Sequence, residues 1–105
     1  MKILVTGNIS KGFATWVQMQ DSLAPEMEKV GIKLIWAGTN PDESKVFALI
    51  EMQDPEQMKT FGEREDIAKI RAEAGVDVAS TTVISPLGAH YMPAYISIFN
   101  AFKSP

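Results

Sequence analysis

His90 is the only histidine in the 105-residue chain, and cysteine is absent. Those two facts bound its chemistry. One imidazole just after the last expected strand can serve as a general base or a single ligand. Several histidine ligands from one chain are excluded, as are thiolate metal sites, iron–sulfur clusters, disulfides and cysteine nucleophiles. Glu51 and Asp77 fall in otherwise mostly apolar runs. Held beneath a second layer, such a carboxylate has a raised pKa suited to proton transfer; at a strand end it is simply wet. Trp36, Phe47 and Tyr91, with Trp16, Phe61 and Tyr95, offer flat apolar surface that can line a pocket for a planar ligand or pack a core. Arg64, inside Glu63-Arg64-Glu65-Asp66, can hold an anion or belong to a solvated charge cluster. The turn Gly7-Asn8-Ile9-Ser10-Lys11-Gly12 can present backbone amides to a phosphate, although it lacks the residue order of a P-loop. No convergent set of titratable groups appears, so the residues assign neither a cofactor nor a metal.

These side chains must be carried by a single domain, because 105 residues do not supply two independent cores. With 46% hydrophobic and 22% charged residues, disorder and coiled coil are disfavoured together. A net charge of -3 disfavours nucleic acid as a partner. No apolar run is long enough to cross a bilayer or act as a signal peptide, so a soluble, unprocessed, cytoplasmic protein is expected.

Lys2 to Ile9 reads as a strand. Ser10 is the expected N-cap of a helix carrying Phe13, Trp16, Val17, Gln20, Leu23, Met27 and Val30, kinked or broken near Pro25 and closed by Gly31. Ile32 to Gly38 and Lys45 to Gln53 form a hairpin around the turn-rich Thr39 to Ser44. Asp54-Pro55-Glu56-Gln57 combines an acidic N-cap, Pro at N1 and Gln at N3, and starts a second helix. Its apolar phase slips at Gly62 to Asp66 and resumes with Ile67, Ile70 and Ala74, which predicts two offset pieces. Val76 to Ser85 reads as the last strand. The order is βαββαβ, which predicts an α+β, ferredoxin-like domain with an antiparallel four-stranded sheet and its helices on one face. Residues 89–105 are too apolar for a loose tail and are expected to dock, with no conformation settled by periodicity.

A sheet covered on one side only should alternate apolar with polar, and these strands do not. Phe47 and Leu49 oppose Val46, Ala48, Ile50 and Met52; Ile35 and Ala37 oppose Ile32, Leu34 and Trp36. The open face therefore calls for cover by a second copy or by the tail.

Trp16, Ala24-Pro25-Glu26-Met27 through Val30-Gly31-Ile32, Trp36 to Asn40, Ser44 to Phe47, Ala74-Gly75-Val76 and Ser80-Thr81-Thr82 together resemble the dimeric α+β barrel superfamily. The nearest resemblance is to a small bacterial branch of unassigned activity. The resemblance covers roughly residues 1 to 88 and implies two ferredoxin-like chains packed sheet against sheet. Its members include cofactor-independent monooxygenases, haem-degrading enzymes, muconolactone-type isomerases, chlorite dismutases and stress-responsive barrels, so it selects no chemistry. The haem-degrading pattern needs an Asn on the first strand, which Asn8 can fill, and a Trp and a His on the second helix, which residues 55 to 74 lack. Isomerase-type members rely on cleft histidines, and here there is one. The expectation is a homodimer that binds a small apolar molecule or a protein as a regulatory module. The alternative is a cofactor-independent monooxygenase or isomerase acting on an aromatic or lactone-like substrate, with His90 or Glu51 as base.

Overall fold

The first strand, β1 (Lys2–Asn8), buries Ile3, Val5 and Gly7 on one side and leaves Leu4 and Thr6 on the other. The computed structural model describes residues 1–91, so the expected docking segment lies outside the described residues from position 92, as does Tyr95. After β1 come α1 (Phe13–Lys29), β2 (Lys33–Thr39), β3 (Lys45–Glu51), α2 (Pro55–Glu63), α3 (Glu65–Glu73) and β4 (Thr82–Pro86). The strands form one antiparallel sheet in the order β2-β3-β1-β4. This is the ferredoxin-like α+β plan with its second helix in two pieces, as the phase slip predicts.

The three described α-helices feed one core. Trp16, Met19, Leu23 and Met27 of α1, Phe61 of α2 and Ile67 of α3 pack with Ile3, Val5, Val46 and Ala48 of the sheet. The helices end as their sequence dictates. Gly31 takes φ 74, its N–H donates to Glu28 O, and the Ile32 N–H donates to Met27 O, while Met27 and Ile32 are both buried. Together these make a Schellman close with its apolar contact. At the start of α2 the Asp54 carboxylate accepts the Glu56 N–H at 3.0 Å, with Pro55 at N1.

Four local expectations need correction. Ser10 does not cap α1; Gly12 is the N-cap, and the Phe13 N–H donates instead to Glu43 Oε1 at 2.6 Å, a carboxylate brought from the β2–β3 loop. Of the kink or break expected near Pro25, the break does not occur, since α1 runs on through it to Lys29. Pro25 and Asp21, whose carbonyl loses its helical donor, are both exposed, so solvent can satisfy that carbonyl. The last strand begins only at Thr82, because Val76 makes an isolated bridge to Ile9 and Val78–Ser80 form a 3-10 turn. The strict alternation expected for β2 fails at a bulge between Leu34 and Trp36. Leu34 pairs with Ile50 and Ala37 with Ala48 on the helix side, whereas Trp36 pairs with Leu49 on the open side.

The open face is therefore apolar at its centre. Leu4 lies between Leu49 and Ser85, Leu49 between Leu4 and Trp36, and Phe47 between Thr6 and Gly38. The Trp36 ring lies over Gly38, where a Cβ would come within 2.8 Å of it. Trp36 is 56% exposed.

The far end of the sheet is closed by a backbone crossing that only glycine permits. Gly75 has φ +91, and a Cβ there would stand 2.9 Å from the Lys11 backbone nitrogen. Its carbonyl accepts the Ser10 N–H at 2.9 Å. Gly31, at φ +74, has open space around it. Chemical denaturation should therefore find Gly75→Ala less stable by about 2–4 kcal/mol, through backbone strain added to a clash. Gly31→Ala should cost only about 1 kcal/mol, from its left-handed backbone alone; equal losses would contradict the crossing as described.

Candidate ligand cavity

Between the helices and the sheet lies a cavity of about 520 Å³. Trp16 and Leu23 come from α1, Phe61 from α2, Ile67 from α3, and Ala48 and Ile50 form part of its floor. The apolar stripe of α1 supplies one wall, and Trp16 is held there by stacking on Phe13 with ring centres 5.7 Å apart. At the break between α2 and α3 the backbone leaves the helical conformation, and Phe61 and Ile67, one from each piece, both reach the core. Mostly apolar walls favour a ligand body that water solvates poorly.

Charged residues on the wall are few. Glu56, Lys59 and Glu63 line it from α2 and are exposed, whereas Arg71 of α3 is half-buried. Arg71 Nη1 donates to Gly62 O at 3.3 Å and Nη2 donates to Thr81 Oγ1 at 2.6 Å. Gly62 makes the first contact feasible, because a Cβ there would sit 3.1 Å from Nη1. Both acceptors are neutral, and among the described residues no carboxylate pairs with Arg71 within 4.0 Å. Loss of water around the guanidinium pushes its pKa below the ordinary arginine value. The sequence reading missed Arg71. Its signal was position, since it lies four residues after Ile67 on the apolar stripe of α3, where a cation is out of place.

The residues singled out from sequence are scattered. Trp36 and Phe47 share the open sheet face and do not line the cavity. Tyr91 is 80% exposed. His90 is also exposed, with Nδ1 3.5 Å from Gly88 O. Glu51 is not sequestered: it ends β3 half-exposed, 3.9 Å from Lys2 Nζ. Asp77 is exposed and precedes the 3-10 turn rather than lying in a strand. Trp16 and Phe61 are core residues whose surfaces also form cavity wall. Asn8 lies at the sheet end, its side-chain oxygen accepting from Lys45 Nζ at 2.8 Å. In the turn that follows it, the amides of Asn8, Ile9 and Ser10 are already taken, donating to Ser80 Oγ, Ser44 O and Gly75 O. Among the described residues no group of three or more His, Asp or Glu side chains is placed to hold a metal. No helix among them is long and apolar enough to cross a membrane.

No protein-family model matches the chain, and no curated protein sequence matches it. Among solved structures it is similar to an L-rhamnose mutarotase from Formosa agariphila, with a TM-score of 0.56 and 15% sequence identity over 89% of this chain and 99% of that one. At that identity the likeness is one of fold. It is the ferredoxin-like α+β fold that the resemblance to the dimeric α+β barrel superfamily implies.

Arg64 is engaged elsewhere. Its Nε and Nη2 donate to the two oxygens of Asp66 at 3.0 and 2.7 Å, and its guanidinium carbon lies 5.5 Å from the Phe61 ring centre. The hydrogen bonds from Arg64 hold the Asp66 carboxyl below its ordinary pKa of 3.8. The pair's contribution to stability is thus complete above that ordinary value and is lost as pH falls through the lowered one. Carbon-13 titration should give Asp66 a midpoint below 3.8, and Arg64→Gln should move it upward; an unchanged midpoint would refute the fork.

Proposed function

We propose that the chain is a small-molecule-binding module that holds a mainly apolar ligand between helices and sheet and works as a homodimer joined through its open sheet face. The cavity carries this reading. Its volume of about 520 Å³ falls within the range of roughly 300–1,000 Å³ that small-molecule sites occupy. The named neighbour is an enzyme of a small sugar, which agrees with a small-molecule role without specifying the ligand.

Leu4, Phe47, Leu49 and Trp36 support the dimer, because they form one apolar patch on a face that no described helix covers. On this reading Trp36 and Phe47 serve the interface, and the ligand is left to the walls around Trp16 and Ile67. The enzyme alternative has less support, since neither His90 nor Glu51 lines the cavity. A cytoplasmic location suits a chain without cysteine.

The neutral aromatic probe 1-aminoanthracene should brighten on binding the full chain, and Leu23→Trp, which fills the cavity, should abolish the effect. Unchanged fluorescence in both proteins would remove the cavity from consideration. Light scattering should separately give twice the mass of one chain, falling toward one chain in Leu49→Glu. A single-chain mass at working concentration would exclude the dimer.

A further inference from the structure

We infer that the cavity selects small monocarboxylic acids, their apolar body lying against Trp16 and Ile67 and their carboxylate received by Arg71. This rests on the cavity being a ligand site and adds the class of ligand. The chain has two arginines. Arg64 has both carboxylate oxygens of Asp66 on its fork. Arg71 has none, although it is the more deeply placed of the two. Its side chain carries five N–H donors; Gly62 O and Thr81 Oγ1 take two of them, and those bonds brace the group between α2 and the approach to β4.

A guanidinium does not discharge itself by losing its proton at neutral pH, so its charge must be met by an anion or by water. Water is thinned by the apolar wall, which makes an incoming carboxylate worth more there than at the surface. The site provides one inner cation, while Glu56 and Glu63 line the same cavity nearer solvent, with Lys59 between them in sequence. A single anionic group gains from Arg71. A second one, further along the ligand, meets a wall where the two carboxylates outnumber the single ammonium of Lys59, so monoanions are favoured over dianions.

The test is displacement of 1-aminoanthracene from the full chain at neutral pH by 4-phenylbutyrate and by 4-phenylbutanol. The alcohol has the same body and the greater tendency to leave water, so a purely apolar pocket takes it at least as well. Arg71 predicts the reverse, with the acid displacing the probe at a concentration at least tenfold lower. Arg71→Gln should bring the acid to the level of the alcohol while leaving the alcohol within about twofold. As a measure needing no variant, the Arg71 Nε–H resonance should move on adding the acid and stay in place on adding the alcohol.

Equal displacement by acid and alcohol would overturn the carboxylate preference and leave the cavity as a ligand site. A preference for the acid that survives in Arg71→Gln would overturn the assignment to this residue. Failure of the probe to bind at all would overturn the underlying site together with its selectivity.

Discussion

The sheet has two apolar faces, and the described helices reach only one of them. Ile3, Val5, Val46 and Ala48 face the helices and are buried; Leu4, Leu49 and Phe47, their immediate neighbours in sequence, point the other way. In a strand the side-chain period is two, so a central strand made almost entirely of apolar residues puts apolar surface on both sides. Much else in the molecule follows from that arithmetic. The helices must gather on one side to build a core, and the bulge in β2 keeps Leu34 and Ala37 on that side while Trp36 joins the other. Both outer strands carry such an irregularity, and the bulges twist their exposed edges away from simple strand-to-strand growth.

The helical layer is not a seamless lid. A continuous helix over 55–73 would run straight across the sheet; instead Arg64 leaves the helical conformation with ψ 132 and two short helices meet there. Phe61 and Ile67 each find the core from their own piece. Residues on both sides of that interruption line the cavity, and the half-buried cation stands at its wall. Gly62 contributes twice, once by weakening helix continuity and once by letting a guanidinium approach its carbonyl.

The fold was largely legible because its signals are local. Gly31 closing α1, Asp54-Pro55 opening α2 and the phase slip before Ile67 each specify a boundary within a few residues. What escaped depends on partners far along the chain. Ser10 looked like a cap because serine suits that role, but Glu43 reaches the helix start from 30 positions away. A bulge is set by the register between strands, so the alternation of β2 could not disclose that Trp36 changes sides. The site was less legible than the fold. Rarity marks His90, aromatic character marks Trp36 and a carboxylate in an apolar run marks Glu51, whereas the cavity is made from ordinary core positions. Arg71 was visible only as a polar exception on an apolar stripe, and its surroundings come from Gly62 and Thr81 on other elements.

Glu43 carries a consequence for the order in which the chain assembles. It sits at φ 57, an unfavourable conformation for a side-chain-bearing residue, and its carboxylate anchors the first amide of α1. The 17-residue helix can propagate from its middle as soon as it is made. Its opening turn, however, cannot acquire this cap until the hairpin formed by β2 and β3 has placed the loop beside it. Solvent exchange at the Phe13 amide thus reports on the integrity of the hairpin, so that two segments remote in sequence fray and mend as one.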